Sequence, residues 1–285
     1  MFEMLINPSK AERRPWEMFF IGAFYASIAV VLVNWVFASD TVLSKYLGLL
    51  VVTFTVMFSM PFVYYTIRLE EKKVSSNTGF FSIFHEHKSA LLAFMWLFLG
   101  FVVAFSFWYI MLSSTQSFTA QIETYCVINR PSNFDQCVQE YGIKANSPTT
   151  GLTAGSNRLL AIFTNNIYVL IFTLIFSLLF GAGVIFILAW NASVIAAAIG
   201  IFTKSELISL PLGLARYALH GIPEIGSYFT VALAGGMVSV AVIKHEFGTE
   251  KFWEVLEDSL HLIIAAVVVL FLAALLEVYV TPMLF

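Results

Sequence analysis

The chain has 285 residues, 59% of them hydrophobic and only 12% charged, with a mean hydropathy of +0.85. Soluble domains carry about 25% charged residues, so a water-soluble fold of this length is excluded: it has no way to hide so much apolar surface. The net charge of −3 offers nothing to a nucleic acid.

Charge-free runs set the expected elements. Phe19–Ala38 gives 20 residues without a charge, Tyr46–Ile67 gives 22 and Ser89–Ser113 gives 25. Each is long enough to cross ~30 Å of hydrocarbon as a helix. Lipid offers the backbone no hydrogen bonds, so such runs must be helical. The apolar–polar alternation of a membrane barrel is absent. The first run follows Lys10, Arg13 and Arg14 and so resembles a signal peptide. Its apolar core is too long, however, and no small-x-small site closes it, so it reads as an uncleaved first span.

The run Leu159–Thr203 holds 45 residues and no charge. As one helix it would be roughly 68 Å long, more than twice the bilayer core, so it must bend back or break. Gly181-Ala182-Gly183 is the favoured place, giving spans Leu159–Phe180 and Val184–Phe202; a break near Trp190-Asn191 is the alternative. Residues 204–223 include Lys204, Glu206, Pro211, Gly213 and Arg216 and read as a broken, interfacial or re-entrant segment. Ile225–Ile243 and about Leu260–Thr281 complete an expected all-α bundle of about seven spans. Basic residues in short loops orient it. Lys10, Arg13, Arg14, Arg68, Lys72, Lys73 and Lys88 put the N-terminus in the cytoplasm, and alternation puts residues 114–158 and the C-terminus outside.

The two cysteines, Cys126 and Cys137, share that outer loop. Such a pair outside the cytoplasm is expected to be bridged, ordering a polar loop; a redox pair is the other reading. Residues 144–157, with Pro148, Gly151 and Gly155, read as flexible. The loop is rich in Asn, Ser, Thr and Gln and can present a surface to an envelope protein.

Polar residues inside spans are functional candidates by default. Here they are Asn165, Asn166, Asn191, His220, Glu224 and Glu277. The spacing of His220 and Glu224 suggests a metal-binding helix face, but Gly221 and Pro223 lie between them. The favoured reading is a helix that stops and restarts, with Glu224 capping the new first turn. A His220–Glu224 or His220–Glu277 pair within the bundle is the second reading, and metal binding the last, since further ligands are not apparent. Asn165, Asn166, His220, Glu224 and Glu277 fall toward the outer side and can converge in one pocket; Asn191 falls deeper. For asparagines the alternative is helix–helix hydrogen bonding. Gly235-Gly236, with Ala232 and Ala234, read as close helix packing. His85-Glu86-His87 reads as a solvated polar run. No metal or other cofactor is expected.

Phe163-Thr-Asn165-Asn166, Gly181-x-Gly183, Asn191 with Gly200, His220-Gly-x-x-Glu224, Gly235-Gly236 and Leu276-Glu277-x-Tyr279-Val-Thr-Pro282 together resemble the stage II sporulation protein M family, over about residues 160–285. The organisation this suggests is a three-span region over residues 1–113, an extracytoplasmic loop over 114–158 and the family-like membrane region over 159–285. The resemblance implies a non-enzymatic membrane component that, in spore-forming bacteria, anchors or recruits peptidoglycan-degrading enzymes during engulfment. It supplies no catalytic residues; His220, Glu224 and Glu277 match its signature positions. The leading expectation is therefore a scaffold or recruiter in envelope or membrane remodelling. A transporter or channel component built on the polar pocket and an intramembrane metal-dependent hydrolase are the competing readings. The expected partners are the lipid bilayer, envelope proteins at the outer loop and, through small residues on several spans, a second copy of the chain.

Overall fold

The computed structural model describes residue 11 and residues 13–73, 80–112, 115–130, 133–141, 158–203, 206–244 and 248–284. The described chain is helical and contains no strand. Helices α1 (Glu17–Phe37), α2 (Leu47–Lys73) and α3 (Phe80–Met111) come first. The short α4 (Thr119–Asn129) and α5 (Phe134–Glu140) follow, then α6 (Arg158–Phe180), α7 (Ile185–Phe202), α8 (Leu210–Ile243) and α9 (Glu250–Leu275). A π-helical turn, Leu276–Val280, and a last turn, Thr281–Leu284, continue α9.

Six helical stretches are long and apolar enough to cross a membrane. The fourth, Ile162–Phe202, has 41 residues, about 60 Å of helix, and it does not run straight. Gly181 adopts φ +53°, which a side chain disfavours, and opens a 3-10 turn over Gly181–Val184. A Cβ added at Gly181 would lie 3.8 Å from Ser239 Oγ, near one end of α8, whereas one added at Gly213, near the other end, would meet Thr203 and Ile199. The chain therefore reverses at the glycine, and α6 and α7 run along the bundle in opposite directions.

The two ends of the bundle are chemically different. At one, Glu70 and Glu71 close α2, meeting His87 of α3 and Lys244 after α8. At the other, α4 and α5 form a hairpin over the helix ends. Asn34 near the end of α1 accepts a hydrogen bond from Ser117 at this second end (2.7 Å), and Thr281 lies beside His220 there. The start of α1 and the end of the α9 extension thus lie on opposite faces.

One continuous apolar core runs through all the spans, and the first three are built into it. Phe94 of α3 stacks on Phe229 of α8 at 5.6 Å, and Phe98 meets the same ring edge to face at 5.8 Å. Close approach depends on missing side chains. A Cβ on Gly235 would collide with Ser177 of α6, and one on Gly236 would lie 2.9 Å from Ile67 of α2. This is the packing expected of Gly235-Gly236.

Two expectations are corrected. Residues 210–223 are not broken or re-entrant: α8 runs unbroken for 34 residues, through Gly221 and Pro223. Proline removes one helical hydrogen bond, but neighbouring helices and hydroxyl side chains make this tolerable in a membrane. Glu224 is accordingly an interior residue of the helix and caps nothing. Nor is His87 solvated: it is fully buried, because α3 begins earlier than its apolar run and carries the ring against α2. The side chains of His85 and Glu86, and the stretch 144–157 read as flexible, lie outside the described residues.

Candidate functional site

Continuity of α8 is what assembles the polar residues. In an unbroken helix, positions three and four apart share a face, so Tyr217, His220, Glu224 and Tyr228 form one stripe. Tyr228, fully buried, donates its hydroxyl to Glu224 Oε1 at 3.0 Å. His220 Nδ1 lies 3.2 Å from Thr281 Oγ1. The π turn that precedes Thr281 brings Glu277 within electrostatic reach of Glu224, Tyr217 and Tyr228. Such turns rearrange one turn of helix without ending it and recur at functional sites.

The asparagines divide. Asn166 is buried and receives the Asn165 amide at 3.4 Å. It precedes Ser177 by eleven residues, as Glu224 precedes Gly235, so the contact between Ser177 and Gly235 puts Asn166 level with Glu224. Asn191 stands apart on α7, where its amide donates to the Ile187 carbonyl one turn back (2.8 Å). Among the described residues no three His, Cys, Asp or Glu side chains are grouped to hold a metal ion.

Above this stripe sits the α4–α5 hairpin. Cys126 and Cys137 are bridged, with Cα atoms 5.8 Å apart. Arg130 pairs with Glu140 at 2.7 Å, and the Tyr125 and Tyr141 rings meet edge to face at 6.5 Å. The carboxylate of Glu140 holds the Arg130 guanidinium above its usual value, while burial pushes the Glu123 and Tyr141 side chains up. Gln121 roots the hairpin. It is fully buried, and its amide donates to the Gly48 carbonyl at 3.0 Å and to Ser193 Oγ at 3.2 Å. Asn133, Asp135, Gln136 and Gln139 stay exposed, and Arg130, Asn133, Gln136, Gln139 and Glu140 edge an open cleft of about 640 Å³.

Sequence reasoning missed several polar residues. Gln121 looked like one of many amides in a polar loop. Glu70 and Glu71, just past the charge-free run of the second span, are buried at 0% and 1% exposure. Their signal was adjacency: neighbouring residues on a helix point in different directions, so two buried carboxylates in succession need two partners. His87 Nδ1 meets Glu70 at 2.6 Å, and Lys244 meets Glu71. Asp258 is a further buried carboxylate, on α9.

No curated protein and no solved structure matches the chain in comparison. The profile of one family, Stage II sporulation protein M, matches residues 89–282. That region takes in the third span, the stapled hairpin and every polar residue of the α8 stripe, beginning about 70 residues before the motifs that carry the resemblance. A profile that matches two thirds of the sequence therefore places this multi-pass membrane protein, with its six apolar helical stretches long enough to cross a membrane, in the stage II sporulation protein M family.

Proposed function

We propose that the protein is a non-catalytic membrane scaffold that recruits an envelope protein through its stapled hairpin. The observation that carries this reading is the construction of α4 and α5. A disulfide, the Arg130–Glu140 pair and the buried Gln121 anchor hold a polar, exposed surface in one shape at the end of an apolar bundle. A surface ordered in advance loses little entropy on binding. Orientation supports the same reading. Arg13, Arg14, Arg68, Lys72, Lys88, Lys244 and Lys251 gather toward the opposite end, which by the positive-inside rule faces the cytoplasm, so the bridged cysteines face the oxidising side.

A photo-crosslinking residue at Gln136, on the exposed face of α5, tests this in native membranes. The expected result is one discrete protein adduct that disappears when Cys126 and Cys137 are both replaced by serine. Adducts with lipid alone, or an adduct indifferent to the disulfide, would contradict the scaffold reading.

The unbroken polar stripe of α8 favours a second reading, a transport component that moves a solute along that face. Solute or ion flux across vesicles holding the purified protein, absent from empty vesicles, is its test; tight vesicles would remove it.

A further inference from the structure

Two donor groups at the hairpin end of the bundle lack acceptors among the described residues. Trp108 of α3 carries its indole Nε1–H shielded from solvent and unpaired. Arg216 of α8 lays its guanidinium over the Phe202 ring, 4.7 Å from the centroid, and makes no hydrogen bond or ion pair with any described residue. Indole and guanidinium donate only, and a shielded donor left unpaired is costly. Water can serve an arginine at a membrane surface, but it does not reach the Trp108 nitrogen.

Packing puts the two groups at one level. Phe94 and Phe98 of α3 both meet Phe229 of α8. Trp108 lies twelve residues beyond their midpoint, and Tyr217 lies twelve before Phe229, along helices that run in opposite directions. Phe94, Phe98, Phe101, Phe105 and Trp108 follow the three-four spacing of one helix face, the face that α3 turns to α8. The neighbours agree. Tyr109, next to Trp108, and Tyr217, next to Arg216, both come within electrostatic reach of Tyr125 and Tyr141 in the hairpin. A Cβ on Gly200, two residues before Phe202, would collide with the Tyr109 ring.

A site made of donors takes an oxyanion. The carboxylates of the chain do not fill that role: Glu140 is held by Arg130 at 2.7 Å, and Glu277, which reaches Tyr217, forms no ion pair with Arg216. Trp and Tyr collect at the headgroup level of a bilayer, and here Trp108, Tyr109, Tyr125, Tyr141 and Tyr217 gather at one level. The oxyanion present at that depth is the phosphodiester of a phospholipid, which a guanidinium can bind through two parallel hydrogen bonds.

We propose that Arg216 and Trp108 hold the phosphate group of a phospholipid from the leaflet on the hairpin side. The proposal is independent of the docking role of the hairpin.

The thermal unfolding midpoint of the full chain in maltoside micelles reads it out. Three additives are compared at equal concentration: short-chain phosphatidylglycerol, diacylglycerol with the same acyl chains, and inorganic phosphate. The midpoint is expected to rise with phosphatidylglycerol and to stay in place with the other two. Arg216→Gln removes the guanidinium, and Trp108→Phe keeps an aromatic ring but removes the N–H. Each is expected to lose at least half of the rise. Should Arg216→Gln fail to fold, Trp108→Phe carries the comparison. A rise that diacylglycerol reproduces overturns the proposal in favour of the acyl chains, and one that inorganic phosphate reproduces replaces the lipid by a soluble phosphate. No rise with any additive, or variants that keep the full rise, overturns it outright.

Discussion

Two glycines on the same helix show how context decides a residue's worth. At Gly221 an added Cβ meets nothing within 4 Å, whereas at Gly235 it meets the Ser177 side chain. Alanine is the better helix former by roughly 0.5–1 kcal/mol, so Gly221→Ala is expected to raise stability by about that amount. Gly235→Ala is expected to lower it by about 1–3 kcal/mol, the usual cost of overpacking. Unfolding in mixed micelles by increasing detergent denaturant measures both; equal effects would contradict the packing described. Buried charge follows a different rule. Removing one partner of a buried pair leaves the other unpaired, so Glu70→Ala, which strands His87, is expected to cost about 3 kcal/mol in the same assay. Outside the spans, Asp40 accepts from the backbone N–H groups of Leu43 and Val42, both at 2.8 Å, and these bonds hold its carboxyl below the usual value. The folded form therefore favours the carboxylate. This contribution is complete at neutral pH and fades as the pH falls through the lowered value, so Asp40→Asn is expected to weaken the acid limb of a thermal-stability profile and leave the alkaline limb unchanged.

At the scale of the element, what could be read from the sequence followed physical necessity. Charge-free runs of membrane length had to be helices, and a 45-residue run had to turn; it turns at Gly181, where the backbone adopts the conformation glycine permits. The Cys126–Cys137 bridge was legible from number and compartment. The reach of α8 was not. Gly221 and Pro223 are strong breakers in water, and local rules set them against continuity. Tertiary packing and the absence of competing water reverse that balance in a bilayer, and nothing local to residues 210–223 records the neighbours that do so. Reading the helix as broken also concealed the stripe, since His220 and Glu224 share a face only if the helix continues. Gln121 escaped for a related reason: its partners, Gly48 and Ser193, are more than seventy positions away along the chain. The bridge itself closes a short loop, and its loss through Cys126→Ser with Cys137→Ser is expected to cost ~3 kcal/mol on the chain-entropy view. Because Gln121 anchors α4 independently, limited proteolysis should then open α5 and spare α4 and the spans.

The whole molecule is a bundle with unlike ends. One end is closed by Glu70–His87 and Glu71–Lys244, which tie α2 to α3 and to the end of α8; the other carries the stapled hairpin, with the polar stripe beneath it. The three-span region and the family-like membrane region share one core: Phe94 and Phe98 of α3 pack against Phe229, and Ile67 of α2 lies against Gly236. The reversal at Gly181 underlies the proposed topology, in which seven crossings put the two termini on opposite sides. The orientation of the hairpin, and with it the docking role, depends on that count and on the positive-inside rule. Separate epitope tags at the N- and C-termini, probed with antibodies on intact and then permeabilised cells, test it most directly. The account predicts a C-terminal tag detected on intact cells and an N-terminal tag detected only after permeabilisation; both tags on one face, or the reverse assignment, would contradict it.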